Sequence, residues 1–509
     1  MTQPASFTFS LTSPTARYGP RLGKIALRRP GSTVDLQIPT PGLLTATSRG
    51  VVPHLSRDHH RLTDAIRWVN IPFETFLEHN PPVPTLQPGQ NPLHTFLGFP
   101  PGKHLLSISA RDPYDGREMP PNGKSHVSVY CLRGVRKLSP TDWSSYVLSC
   151  QPDVVFALSD IPFTDPPYSQ KRLTKSIERS ATWLSTILRS ETRQNVFVQM
   201  AGGTCLPARK AFSDSLLERL DGPEADAIKP LTTLDEGVRG YTFDLVPLRQ
   251  CLETQAKTSH TLSHHEIVPL IKTSLDPLSE QKIRLINSTE SPHEILHYIS
   301  HVGIDIFDAR WAQRAADIGV ALDFAFPVRS TGAQKDIGHC LYDTQYTLDF
   351  SPLADSFRGA LSQGSTSPIC PCAACSPVVP ATRIYHGADT PVVLGEEPRK
   401  EAGTIYRPHV SRAYIHHLLH THEMSAHALL VMHNLAVLDA FFAGVRKLIS
   451  DAPERWEAEV LKFSEEYDES VTVFHQARAS WREVELARGK GRLAREKEKK
   501  DAEGLATAA

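Results

Sequence analysis

Cys370-Pro371-Cys372-Ala373-Ala374-Cys375 sets three thiols within six residues. Thiolate sulfur and imidazole nitrogen are donors that zinc prefers, four to a tetrahedron. A set closed by four protein ligands leaves no position for a reacting water, so its role is structural. Three local sulfurs therefore ask for one more donor from elsewhere. A histidine on a following helix is the usual supplier, and His409, His416, His417, His420, His422, His427 and His433 all come after the cysteines. A lone helical histidine is more often packed or solvated than metal-bound, so spacing by itself leaves the fourth ligand open among these candidates.

The other five cysteines, at positions 131, 150, 205, 251 and 340, are scattered. That pattern does not suit a disulfide framework and fits a reducing compartment. The first twenty residues show neither an apolar core nor an early basic cluster, so no secretory signal is expected. No uninterrupted apolar run reaches the roughly 18 residues of a membrane span. The 55 basic and 56 acidic side chains nearly cancel, which excludes a global positive field that would draw in nucleic acid and leaves only local patches. One such patch is the tail from Arg488 to Lys500, with seven Lys or Arg against two Glu. A solvated helix end explains it more simply than an RNA-binding arm.

The elements that must position these residues alternate. Asn195 to Gln199 is a short apolar strand ending at Gly202-Gly203, and Leu206 to Leu220 has helical spacing. Gly240 to Val246 is a second strand, and Ile283 to Ile286 a third. Ser291-Pro292-His293-Glu294 has the form of a helix start, with Ser as cap, Pro in the first turn and Glu three residues after the cap. The helix Glu294 to His301 runs into a buried strand, Gly303 to Phe307. Repeated units of this kind predict an α/β fold with parallel strands, either an open doubly wound sheet or a closed eight-stranded barrel. Pro377 to Val410, rich in Pro, Gly and Thr, reads as a surface insertion, and the chain from Pro453 onward as a charged helix and tail.

The cysteine cluster, together with Ser411-Arg412-Ala413-Tyr414-Ile415-His416-His417 and Met432-His433-Asn434-Leu435, resembles the zinc subdomain of tRNA-guanine transglycosylases. The resemblance implies that Cys370, Cys372, Cys375 and His433 hold one structural Zn2+, with His416 and His417 as packing or supporting residues. It departs from the family in one respect: residues 376–410 separate the cysteines from the Ser-Arg-Ala-Tyr segment. Loop closure costs grow slowly with length, so the site need not suffer. Arg21 to Ile25 resembles the family's opening strand and Pro39-Thr40-Pro41-Gly42 its early loop. Val198-Gln199 with Gly202-Gly203 resembles a segment whose glutamine contacts the base, and Arg284 to Asp308 resembles the approach to the catalytic aspartate. The fold implied is a (β/α)8 TIM-type barrel with a zinc-binding subdomain near its C-terminal end. Its implied divisions are an N-terminal extension 1–20, a barrel body 21–365, a zinc subdomain 366–450 with the insertion 376–410, and a charged helix and tail 451–509.

Family chemistry is base exchange: an aspartate attacks the ribose of a tRNA guanosine, guanine leaves, and a deazaguanine base enters. A nucleophilic carboxylate, a second carboxylate and glycine-lined room for the flat ring are required. Asp308 stands where the nucleophile would stand, and Arg314 matches an arginine after it, but Ala309 to Arg314 replaces the usual Cys-x-x-Pro-Thr-Arg. The Asp-Ser-Gly-Gly-Phe-Gln stretch is absent, with Ser107 to Pro113 in its place. Leu158-Ser159-Asp160 stands for Phe-Asp-Glu, and Gly240-Tyr241-Thr242-Phe243-Asp244-Leu245 has lost both pocket glycines. The chain therefore resembles the non-catalytic eukaryotic branch of the family, to which Arg111-Asp112-Pro113 and Asn122 to Val129 are also similar. That branch implies a heterodimer with a catalytic subunit, shared hold of a tRNA anticodon stem-loop, and exchange of guanine for queuine at wobble position 34 of tRNAs with GUN anticodons. An active enzyme using Asp308 with Asp112 or Asp160 is the first alternative. A zinc-stabilised barrel used as a binding module is the second. The expected place is the cytoplasm. Peripheral attachment to the mitochondrial outer membrane belongs to the resemblance and has no segment here that encodes it.

Overall fold

The computed structural model describes all residues except 1–4, 13–15, 32–34, 163–165, 190–193, 256–265, 329–331, 333, 357–369, 371, 373, 376–377, 381–403, 407–409 and 490–509. His409, most of the insertion 376–410 and the basic tail from 490 onward thus lie outside the described residues. Two compact units form. The first comprises Met1–Arg57, Asp64–Trp311 and Phe441–Phe463, and the second Asp58–Thr63, Ala312–Ala440 and Ser464–Ala509.

The first unit holds a closed barrel of eight strands: β1 (Gly42–Ala46), β2 (Trp68–Pro72), β3 (Leu105–Ser109), β4 (Val154–Phe156), β5 (Val196–Gln199), β6 (Val238–Asp244), β7 (Ile283–Asn287) and β8 (Ile306–Asp308). Every neighbouring pair is parallel, and β8 closes on β1 with Ile306 opposite Gly42 and Asp308 opposite Leu44. The choice between open sheet and barrel is thereby settled as an α/β TIM-type barrel. Strands of this kind are covered on both faces, which is why β2 (WVNIP) and β7 (IRLIN) are buried at every position instead of alternating.

A three-stranded antiparallel sheet, Ser6–Leu11, Gly23–Arg28 and Leu36–Thr40, does alternate. Its buried Phe7, Ile25, Leu27 and Ile38 join Leu44, Trp68, Leu105, Val154, Ile283 and Ile306 in one core at the strand-start end of the barrel. Phe197 sits among them, edge-on to Phe7, Trp68 and Phe156 at 5.9, 5.7 and 5.9 Å between ring centres. Ring edges meeting ring faces in this way add stability beyond burial.

Helices begin where sequence places caps. Ser291 Oγ accepts from Glu294 N at 3.2 Å, and the helix spans Pro292–Val302. The expected return bond from Glu294 is displaced by one residue: Oε2 accepts from Glu290 N at 2.7 Å, while Arg249 Nη2 holds Oε1 at 2.5 Å. The buried carboxylate follows its charged partner. Gly303, at φ 73°, ends this helix, and a Cβ there would lie 2.5 Å from Gly19 O, so only glycine fits. The expected strand 303–307 is Ile306–Asp308, the helix 206–220 is Leu206–Leu217, and the strand 240–246 is Val238–Asp244, since Leu245 opens the next helix.

The second unit contains the strand pair Val320–Leu322 and Gly338–Cys340, the helix Arg412–His420 and the first part of the helix Met424–Asp451. By length and composition this last helix could cross a membrane, which run-length in the sequence did not reveal; 72% of its apolar window is buried inside protein, the mark of a core helix. Val378–Pro380 pairs with Thr404–Tyr406, so the two ends of the insertion return to one another.

Candidate metal centre and barrel mouth

Four donors that sequence reading singled out meet in the second unit. The sulfurs of Cys370, Cys372 and Cys375 lie 3.6, 3.8 and 3.2 Å from His433 Nδ1, and all four side chains are buried. Zinc bonds of ~2.3 Å to sulfur and ~2.05 Å to nitrogen at tetrahedral angles require an S···N edge of about 3.6 Å. The observed edges surround that value, so the residues fit a tetrahedral cation. His433 Nε2 faces Leu322 O at 2.9 Å. A donor at Nε2 leaves the Nδ1 lone pair directed at the sulfurs, the tautomer a metal needs. Burial opposes charge on Cys372, yet hydrogen bonds from Cys370 and Cys375 hold its thiol well below the usual range. Hydrogen bonding to the other two sulfurs and burial push Cys375 well up. Three thiols and an imidazole packed this way share protons unequally; a divalent cation would make all three sulfurs thiolates.

The neighbouring Asn434 shows why His and Asn stand together. Its Oδ1 accepts from Leu322 N at 2.9 Å, and its Nδ2 donates to Ala312 O and Val320 O at 3.1 and 3.0 Å. The pair thus grips both polar groups of Leu322. His416 and His420 serve packing: His416 Nδ1 meets Leu341 O at 2.9 Å and His420 Nε2 meets Tyr342 O at 3.1 Å. Sequence reading missed a second cluster. Asp323, His339 and Asp355 bring donor atoms together, but Arg412 Nη2 already lies 2.9 Å from Asp355 Oδ2 and 2.9 Å from His339 Nε2. The guanidinium occupies the place a cation would take. Burial opposes the charge on Asp323, but His339 and the backbone N–H groups of Asp355 and Ser356 hold it below the carboxylate range. Arg412 of the Ser-Arg-Ala-Tyr segment is therefore an anchor.

In the first unit the strand ends from β3 to β7 line a cavity at the barrel mouth. The cavity there measures about 60 Å³ and is bounded by Arg111, Asp112, Gln199, Thr242, Asp244 and Asn287 among others. Small-molecule sites run to roughly 300–1,000 Å³, so this one has room for a few waters. Four side chains take the space. Arg111 Nε reaches Ser128 O at 2.7 Å, and burial lowers its pKa to about 10. Asp244 is half-buried, accepts from Gln199 Nε2 and, at 2.8 Å, from Asn287 Nδ2, and desolvation pushes its pKa up to about 7. The glutamine expected to read a base is thus engaged by an aspartate one strand away, a bond no sequence pattern announces.

Asp308 lies at the end of β8, buried, with Oδ2 accepting from Ser288 N. Burial raises it to about 7 against the pull of that N–H and of Arg310. The two carboxylates weighed as its helper are otherwise employed. Asp160 accepts from Arg172 Nη1 and Nη2 at 2.9 Å each, from Arg179 Nη1 at 3.0 Å and from Asn122 Nδ2 at 2.8 Å. Asp112 gives its backbone N–H to Glu74 Oε1 at 3.1 Å, and its carboxylate stands 3.7 Å from Arg310 Nη2. Arg314 is exposed on the helix Arg310–Asp317.

Comparison with known proteins agrees with this architecture. A protein of Drosophila persimilis named queuine tRNA-ribosyltransferase accessory subunit 2 is 24% identical over 452 residues, 87% of this chain and 89% of its own. Proteins of the same name from Schizosaccharomyces pombe and human are 26% identical over 474 residues (92% and 85% covered) and 25% over 433 residues (85% and 94%). One family pattern, described as queuine tRNA-ribosyltransferase, matches residues 17–386 and 396–469. Coverage of most of the chain, through barrel and cysteine cluster alike, means that this chain belongs to the queuine tRNA-ribosyltransferase family.

Proposed function

We propose that the chain is the non-catalytic subunit of a heterodimeric queuine tRNA-ribosyltransferase. It supports tRNA binding and a catalytic partner that exchanges guanine for queuine at wobble position 34 of tRNAs with GUN anticodons. The observation that carries this reading is the filled space at the expected base-reading glutamine: the cavity there is about 60 Å³, with Asp244 bonded to Gln199 and Asn287 where a flat base would need room. A nucleophile without an admitted substrate has nothing to attack. The relatives' shared name, with its word "accessory", supports the same role.

Cys370, Cys372, Cys375 and His433 would hold zinc, which supplies folding energy and no reacting position. In the second unit Leu348, Phe350 and Tyr414 stand exposed at 78, 71 and 49%. Large apolar groups in water mark a surface for association, which supports a partner's docking there. All eight cysteines are free, in keeping with action in the reducing cytoplasm. Fractionation checks this, and a salt-releasable share on mitochondrial membranes is the expected sign of peripheral attachment.

Base exchange with labelled guanine decides the central point. The chain alone should be inactive, the mixture with a catalytic subunit active, and Asp308→Ala without effect on the mixture. Activity of the isolated chain that disappears in Asp308→Ala would install the enzyme reading instead.

A further inference from the structure

We infer that Asp244 is a built-in ligand: its carboxylate fills an acceptor-binding subsite made by the ends of β5 and β7, and that occupation shuts the barrel mouth. The inference rests on the reading that the mouth admits no base, and it names the chemistry that closes it. Gln199 Nε2 and Asn287 Nδ2 converge from the two strands flanking β6, and both donate to the one carboxylate between them. Thr242, one pleat earlier on β6, and Arg111 line the same small cavity. The groups that meet this carboxylate from β5 and β7 are both amide N–H donors, while Arg111, Asp112 and Asp115 line the cavity around them. Two converging N–H donors bind an oxygen acceptor such as a small carboxylate. The chain supplies that acceptor itself, at the end of a rigid strand and without loss of translational freedom, so no free carboxylate competes. Asp244 is half-buried and bears no cation of its own within hydrogen-bond distance among the described residues. Its two amide bonds are what hold it. Cutting the side chain back should therefore expose a subsite specific for a small carboxylate.

The experiment is thermal unfolding of the full chain at pH 8 in sodium formate, with sodium chloride as the ionic control. Asp244→Ala should melt lower than the parent and regain stability as formate rises. At roughly five times the dissociation constant the gain should be roughly 1–2 °C, saturating and absent in chloride. The parent should not respond, and neither should Gln199→Ala, in which Asp244 still fills the site. Asp244→Asn keeps the volume, so it should fold and ignore formate; Asp244→Ser opens the room with a smaller truncation, should respond to formate as Asp244→Ala does, and carries the test if Asp244→Ala proves too unstable to purify. A flat formate titration of the truncated variants, or a response shared by the parent, would each overturn the assignment. Base exchange by the unaltered chain would instead overturn the reading of the preceding section, so the two failures are told apart.

Discussion

His433 is committed on both ring edges, Nε2 to the Leu322 carbonyl and Nδ1 to three sulfurs. Substituting it removes a metal ligand and leaves a buried carbonyl without its donor. His433→Ala and Cys372→Ser should each lower bound zinc from about one per chain to near none, read by elemental analysis after gel filtration; unchanged content in His433→Ala would mean another histidine serves. Asp308 makes the opposite kind of prediction, because its burial is a cost. Its folded value near 7 lies above the ordinary aspartate value of 3.8. Between these limits the native chain holds a proton the unfolded chain has released, so stability falls as pH rises from about 4 to 7. Asp308→Asn removes that penalty. It should be more stable than the parent at pH 8, by on the order of 2–4 kcal/mol at most, with the advantage fading toward pH 5. Denaturant titrations at the two pH values check both size and sign. Asp244 and Glu74, also raised to about 7 by burial, keep part of the slope in the variant.

At the scale of elements, Asn434 ties the helix Met424–Asp451 to the strand Val320–Leu322. Three hydrogen bonds to backbone groups vanish in Asn434→Ala, and Leu322 N–H is left buried and unmet. A loss of about 2–4 kcal/mol is expected, visible as faster amide exchange across residues 320–340. Val378–Pro380 pairs with Thr404–Tyr406, and Val410 N donates to Ala374 O at 3.0 Å. The chain thus comes back to the cysteines before Ser411, and replacing 381–403 with a short turn should leave zinc content unchanged. How far such features can be read beforehand depends on their range. Strand-helix alternation, the Ser291 cap and the cysteine spacing are local and were legible; barrel closure and the fourth metal ligand came through resemblance. The Arg412 anchor on Asp323, His339 and Asp355, and the Asp244 bridge to Gln199 and Asn287, join residues 43 to 89 positions apart. Nothing in one segment encodes what another will place beside it.

The molecule as a whole divides its stability between two units of different origin. The barrel rests on apolar burial, with Phe197 and the N-terminal sheet at its base. The second unit carries four buried donors that would draw on a metal. A strong chelator should therefore split unfolding into two steps, the first spread over residues 312–440 and the second retaining barrel circular dichroism until higher denaturant. One unaltered transition under chelation would show that the cysteines add little. The closure of β8 on β1 also has a consequence in time. Gly42 pairs with Ile306, 264 residues later (306 − 42). At roughly 5–20 residues per second, a ribosome needs on the order of 13–50 s to deliver the second after the first. For that interval β1 and the sheet before it carry apolar faces with no barrel to cover them. A nascent chain of this design depends on chaperones early, and shortage of them should show first as aggregates of incomplete chains, before any defect appears in the finished protein.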